Sequence, residues 1–374
     1  IETTCAGHAT EIARDMDLNM YDGILVLGGD GILSGTFFFF LKKNKFTTNL
    51  LILVRKKKKK KKKKRDVERA LKMPLSILPC GSGNALACEL GWRPLLNGVR
   101  YLLDGLYIPL DAYVAQQYNS KNVLGFVSTQ WAIVSAVDLE SDAYRWMGKL
   151  RFDFKAFLEF AKCKFYDCRI YYRQVPSKPL KKNKKESELN EDQQREQEDH
   201  SWWMKLDHDH PESFYNQTNT DTNQTASVVF PKDWKKVEDK IGLCCITNYT
   251  TISESVLMGG DDMTLNNGVL KLVYSTKTHR GEYFNILMSM DTGISYIHYL
   301  YYNITYTYIH IYMYISSFLI TGKFAKSPSV KSVKIVEAVI EPLEKGPPID
   351  VDGEARPTKP TYLKVLPHKL VVAC

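Results

Sequence analysis

The chain has no cysteine spacing that would build a zinc site or a disulfide framework. Its eight cysteines are Cys5, Cys80, Cys88, Cys163, Cys168, Cys244, Cys245 and Cys374, and no signal peptide opens the sequence. A reducing, cytoplasmic setting is expected, in which the sequons at Asn216, Asn223, Asn248 and Asn303 stay unused. Basic charge is scarce once one run is set aside. The net charge is +9, but Arg55, Lys56 to Lys64 and Arg65 carry eleven positive charges, and without them the balance is −2. So local an excess argues against a nucleic-acid partner. Long apolar runs are scarce too. Tyr296 to Ile320 is long enough to cross a bilayer, yet it holds His298, Asn303 and His310 and lacks a basic flank on one side. Its Tyr-Ile texture reads as low-complexity sequence. Asp207-His208-Asp209-His210 has metal-ligand residue types, but it sits in a polar loop, so no protein metal site is expected.

What is present suffices for two domains: 374 residues, 44% of them hydrophobic. Asp22 to Gly31 organises the rest. The apolar run Ile24 to Leu27 ends in Gly28-Gly29-Asp30-Gly31, which reads as a buried strand stopping in a tight turn. Glycines let a backbone approach a ligand closely, and they leave Asp30 as the ionisable side chain at the strand tip. In an open α/β sheet, ligands bind at that tip. Leu75 to Leu78 repeats the pattern, leading through Pro79-Cys80 into Gly81-Ser82-Gly83-Asn84 and a helix-forming run. A Gly-Ser-Gly turn that opens a helix offers N–H groups and a helix dipole to an anion. Either turn alone could be only a turn; the pair, each after a strand, points to a phosphate cradle beside a carboxylate.

Around these motifs, Ala9, Ile12 and Ala13 share a helical face, and no strand precedes them. A doubly wound domain normally begins with a strand, so the chain reads as N-terminally truncated. Thr36 to Lys64 changes composition, with a phenylalanine run at 37–40 and the lysine run at 56–64. Nine adjacent like charges repel and do not pack. The run reads either as inserted low-complexity sequence or as a polybasic tether for anionic lipid. A helix is expected over Gly98 to Leu106 and another over Phe152 to Cys163. Strands are expected at Tyr107–Val114, Val123–Ser128, Tyr166–Tyr172, Ala226–Phe230, Lys240–Thr247, Gly268–Tyr274, Phe284–Met290 and Val330–Ile340, with closing strands at Leu363–Leu366 and Leu370–Ala373. Lys178 to Asp199 is almost wholly charged or amide and cannot bury enough apolar surface to order itself.

Four pieces in this order resemble the sphingosine kinases within the diacylglycerol-kinase-like lipid kinases. They are Gly-Asp-Gly at 29–31, Leu-Pro-Cys-Gly-Ser-Gly-Asn-Ala-Leu-Ala at 78–87, Val-Asp-Leu-Glu-Ser-Asp-Ala-Tyr-Arg at 137–145 with Leu-Arg-Phe at 150–152, and Val-Asp-Gly-Glu at 351–354. The resemblance implies a two-domain α+β fold. An N-terminal α/β Rossmann-like nucleotide-binding domain would span 1–106, with a low-complexity insertion at 36–64. An antiparallel β-sandwich that binds lipid would span 107–374, with a disordered loop at about 176–225 and an anomalous insertion at about 294–322.

The implied activity is transfer of the ATP γ-phosphoryl to the primary hydroxyl of sphingosine or a related sphingoid base, with ATP and Mg²⁺ as cofactors and no protein metal ligand assigned. The resemblance makes Asp30 the catalytic carboxylate, with Gly28, Gly29, Gly31 and Asp138 on the substrate side. Thr3, Gly81, Ser82, Gly83, Arg145, Arg151, Asp352, Gly353 and Glu354 fall on the ATP side. Asp138 matches the carboxylate that recognises the amino and hydroxyl head, and an apolar tunnel for the tail is expected from Trp131, Ile133, Val134 and the 152–160 helix. Peripheral association with a membrane surface follows from the lipid substrate. The alternatives are a diacylglycerol kinase and a catalytically dead homologue.

The sequence departs from the family in several places. Gly35 stands for its glutamate, Ala136 for the first aspartate of its Asp-Val-Asp-Leu, and its first strand with the Asn-Pro nucleotide loop is missing. We read 35–64 and 294–322 as translated intron; both segments in abundant mature message would overturn that.

Overall fold

The computed structural model describes residues 20–30, 50–54, 71–81, 83–91, 97–117, 122–148, 150–175, 233–253, 256–260, 262–278 and 329–373, with a few isolated positions besides. The lysine run, the 176–225 loop, the strands expected at 226–230 and 284–290 and the Tyr/Ile-rich stretch lie outside them. The chain divides into two compact units, 1–172 with 236–374, and 173–235. The site lies wholly in the first.

Strand β1 (Gly23–Gly28) is buried along almost its whole length, as befits a strand covered on both faces. It runs parallel to β3 (Leu75–Pro79), pairing Ile24 with Leu75 through Gly28 with Pro79. Its other edge is antiparallel to β2 (Leu50–Val54), so five residues of the stretch expected to be an insertion join the sheet. Two short helices follow, α1 (Ala85–Glu89) and α2 (Asn97–Asp104). The Ser76 hydroxyl donates to the Gly98 carbonyl at 2.6 Å, tying β3 to α2.

The sheet-rich remainder holds β4 (Tyr107–Gln117), β5 (Val123–Gly125), β6 (Ser128–Ala132), β7 (Tyr166–Gln174), β8 (Trp234–Thr247), β9 (Leu270–Thr276), β10 (Val330–Pro342), β11 (Ile349–Val351), β12 (Glu354–Arg356) and β13 (Thr361–Ala373). Among the described residues the sheet runs β12-β11-β6-β8-β7-β10-β13-β3-β1-β2, with β4 on β13 and β5, and β9 on β10 and β8. The two expected closing strands are one. β13 pairs with β4 from Thr361 to Ala373, and its register shifts between Leu366 and Leu370. At that irregularity His368 has φ +54°, and its N–H donates to the buried Asp111 carboxylate at 2.8 Å.

The apolar stretch after Trp131 is helical. Ala132, with φ +62° and ψ −132°, turns β6 directly into α3 (Ile133–Glu140), a conformation that costs a non-glycine residue about 1–3 kcal/mol. Burial of Ile133 and Val134 against Leu243, Cys245, Met258, Val273 and Val330 holds the turn. A 3₁₀ helix (Ser141–Met147) and α4 (Leu150–Lys162) follow. Lys155 fastens α4 to α3: it is 6% exposed and bonds Glu140 at 2.5 Å and Glu159 at 2.6 Å. Trp131, Ile133 and Val134 are core residues rather than tunnel lining. Trp131 is fully buried and donates from its indole Nε1 to the Pro347 carbonyl at 3.1 Å.

Candidate active site

The two glycine turns meet. Cys80 N–H donates to the Gly28 carbonyl at 3.0 Å, and a Cβ on Gly81 would lie 2.5 Å from the Gly29 Cα. Their glycines therefore serve the approach of one turn to the other, beyond any approach to a ligand. Asn84 closes the second turn. Its Oδ1 accepts from Gly81 N–H at 2.9 Å and its Nδ2 donates to the Gly81 carbonyl at 2.6 Å. That leaves Asn84 in the left-handed region, φ 53°, with no side-chain bond to α1.

Asp30 caps the helix instead. Its Oδ2 accepts from Ala85 N–H at 2.7 Å and its Oδ1 from Leu86 N–H at 3.3 Å. These first N–H groups of α1, which the sequence offers to an anion, are thus taken by the carboxylate at the tip of β1. Burial pushes the Asp30 pKa up to about 6. The two N–H bonds pull the other way, and the charge of Asp138 adds to the rise. A carboxylate with a pKa near 6 is mostly ionised at neutral pH yet basic enough to accept a proton.

Asp138 comes from α3. One turn earlier the Ser135 hydroxyl donates to the Pro348 carbonyl, which sets this face of the helix against the start of β11. Asp138 there meets Asp350 side chain to side chain, and burial raises both, Asp350 well above the usual carboxylate range. Asp350 is fully buried, and its Oδ1 accepts from Gly353 N–H at 2.7 Å.

Asp352 is spent on the backbone. It accepts from the N–H groups of Phe126, Val127 and Ser128 at 2.8, 3.0 and 2.9 Å, and from the Tyr113 hydroxyl at 2.8 Å. Burial lifts its pKa to about 6 against those four donors. Gly353 (φ +84°) and Glu354 after it are exposed at the turn.

The arginines converge on Asp142. Arg145 makes a bidentate pair with it at 3.1 and 2.8 Å, and Arg151 reaches it at 2.5 Å. Against the upward push of burial, the two guanidiniums hold Asp142 below its ordinary value. Arg145 is 73% exposed and Arg151 11%. Asp142 in turn raises Glu354, after burial and against Arg356. The 3₁₀ helix and the 352–354 turn therefore share one electrostatic neighbourhood. Paired arginines beside an exposed glycine turn suit a polyphosphate.

The structure thus groups Gly28, Gly29, Asp30, Gly81 and Gly83 at the strand tips, with Asp138 within electrostatic reach of Asp30, and Arg145 and Arg151 on Asp142, whose charge reaches Glu354. Thr3, Gly31 and Ser82 lie outside the described residues. Among the described residues no group of three or more His, Cys, Asp or Glu could hold a metal ion. Sequence reasoning missed Asp350 and Asp142. The first had a signal, because Asp350 and Asp352 alternate along one short strand and its turn. The second did not, since Asp142 reads as one of several polar residues after α3.

Residues 1–112 match the diacylglycerol kinase catalytic domain family. Human sphingosine kinase 2 is 31% identical over 189 residues, 48% of this chain and 26% of that protein. Sphingosine kinase 2 of Arabidopsis thaliana is 29% identical over 180 residues, 47% of this chain and 33% of that one. Human sphingosine kinase 1 is 29% identical over 178 residues, covering 45% and 41%. The chain matches less than half the length of these relatives. A crystal structure of a diacylglycerol kinase from Bacillus anthracis aligns with TM-score 0.51 at 12% identity, over 100% of this chain and 83% of that one. A second Bacillus anthracis structure gives 0.55 at 14%, over 99% and 82%. Fold and sequence agree: this chain is similar to the sphingosine kinases, and its first 112 residues match the diacylglycerol kinase catalytic domain family.

Proposed function

We propose that the chain phosphorylates a sphingoid base, moving the γ-phosphoryl of ATP to the primary hydroxyl of sphingosine and giving sphingosine 1-phosphate. One observation carries the reading: Asp30, half-buried at the tip of β1 with its pKa near 6, feels the charge of Asp138 on α3. A base that takes the hydroxyl proton then stands beside a carboxylate that holds the ammonium of the same head group. A charge-assisted hydrogen bond there is worth about 1.5–3 kcal/mol. That separates a sphingoid base from diacylglycerol, which has no ammonium.

ATP with Mg²⁺ supplies the transferable phosphoryl group and neutralises its charge. Arg145 and Arg151, already paired through Asp142, hold phosphate oxygens and offset the charge that develops in transfer. The Gly81-Ser82-Gly83 turn backs the phosphates, and the turn at Asp352, Gly353 and Glu354 approaches the nucleotide through Gly353 and Glu354. We keep the division into a Rossmann-like nucleotide part to residue 106 and a β-sandwich lipid part beyond it. Trp146, Phe154 and Phe157, exposed at 82%, 38% and 64%, support a membrane-facing side on the 3₁₀ helix and α4. Among the described residues no helix is long and apolar enough to cross a membrane.

The test is a radiolabelled ATP assay with sphingosine and diacylglycerol in parallel. Label on sphingosine alone supports the reading, and label on diacylglycerol alone assigns the chain to the other lipid. A second reading draws on the hydrogen bonds of Asp30: both its oxygens serve α1, as they would in a homologue that binds lipid without turning it over. ATP binding with no label on either lipid would favour it.

A further inference from the structure

We infer that Asp350 is a positioning residue of the acceptor site: it donates the proton on its Oδ2 to Asp138, aiming that carboxylate and keeping it ionised for a cationic head group. The inference deepens the proposed function and rests on it.

The geometry comes first. Asp350 is fully buried on β11, and its Oδ1 is occupied by Gly353 N–H. Among the described residues no N–H or O–H donor reaches its Oδ2. The neighbour on that side is the carboxyl group of Asp138, placed there because Ser135, one turn earlier, is bound to the Pro348 carbonyl. Across the ladder Asp350 faces Gln130, whose Oε1 is also buried without a donor. Two carboxyl groups in contact, one with an oxygen that nothing else satisfies, require a proton between them.

That proton belongs to Asp350. Among the described residues the groups facing it are Asp138 from α3, Asp352 from the turn, Tyr113 from β4 and Cys245 from β8. None is a cation. Burial and the Asp138 charge push its pKa well above the usual range. Burial raises Asp138 as well, with Asp142 adding to the rise, but Asp138 is half-buried where Asp350 is fully buried, and the Asp350 bond and Arg151 favour its charged form. A neutral acid in an apolar place serves here as a hydrogen-bond donor.

The experiment pairs Asp350→Leu with Asp350→Asn in the full chain. Asn keeps a donor for Asp138 and an acceptor for Gly353; Leu keeps neither. In Asp350→Leu, KM for sphingosine rises about tenfold, the loss of roughly 1.4 kcal/mol, while kcat and KM for ATP stay put. The acid limb of the sphingosine KM profile also moves to higher pH, because Asp138 loses a bond that favoured its charged form. Asp350→Asn restores both. Equal sphingosine KM values and pH limbs in wild type and Asp350→Leu would overturn the inference.

Should Asp350→Leu fail to fold, infrared spectroscopy at pH 7 decides. The wild-type spectrum must hold a protonated-carboxyl band that Asp350→Asn lacks, and its presence in both, or in neither, sinks the idea. The infrared band reports on the carboxyl pair without any substrate. A wild-type chain that shows the band yet leaves sphingosine unlabelled would remove the acceptor role together with the proposed function.

Discussion

A Cβ placed on Gly81 would stand 2.5 Å from the Cα of Gly29, so the two glycine turns of the site are packed backbone to backbone. Gly81→Ala must push the turns apart and is expected to cost about 1–3 kcal/mol, the range for overpacking a tight contact. Gly83→Ala meets Asp30 Oδ2 at 3.4 Å, an ordinary contact, and should leave thermal stability nearly unchanged. Melting temperatures of the two variants check this, and equal losses would refute it.

Asp30 is expected to set the acid side of the proposed activity. With its pKa near 6, kcat/KM for sphingosine should be flat above that pH and fall about tenfold per unit below it, as the base takes up its proton. Asp30→Asn should abolish turnover and leave ATP binding largely intact. Full turnover in that variant would mean another group takes the proton. The same raised pKa affects stability. Between the ordinary carboxylate value and about 6, the folded chain keeps a proton that the unfolded chain has released. The Asp30 contribution to stability therefore diminishes as pH rises through that window.

Asp352 and Glu354, two residues apart, should fail differently. Asp352→Asn offers one acceptor oxygen where three backbone N–H groups and Tyr113 now find two. It should lose about 1–3 kcal/mol of stability. Glu354→Gln lies at an exposed position and should keep its melting temperature while raising KM for ATP. Denaturant unfolding and nucleotide kinetics on both variants separate a structural carboxylate from one that meets ligand.

Arg151 is the more buried of the two arginines and lies 4.5 Å from the centre of the Phe152 ring. Arg151→Ala is expected to raise KM for ATP about tenfold, roughly 1.4 kcal/mol. Arg145→Ala, with its exposed side chain, should cost less. The reverse order would show that the phosphates lie nearer the last turn of the 3₁₀ helix.

The strands at the site were legible because their local chemistry is unambiguous: Ile24 to Leu27 and Leu75 to Leu78 are apolar runs that stop at glycine. Helices with a clear 3.6-residue face, at 97–104 and 150–162, were legible as well. The helix carrying Asp138 was not, since Ile133 to Val137 has no polar face and starts from a strained Ala132. Nor was the capping of α1 by Asp30, a contact across 55 positions that no local pattern encodes. Asp352 shows the converse: the sequence marks an acidic turn there, but the carboxylate faces inward to the 126–128 loop.

β13 has a consequence for how the chain is made. Its pairs with β4 join Tyr107 to Ala373 and Gln117 to Thr361, and its Val372 joins β3 at Leu75. On a ribosome, β3 and β4 therefore emerge with an open edge that waits some 250 to 300 positions for its partner. Contacts so distant in sequence slow folding, and an open apolar edge can pair with another chain meanwhile. Holdase chaperones should favour nascent chains stalled before residue 361 over those released after 373.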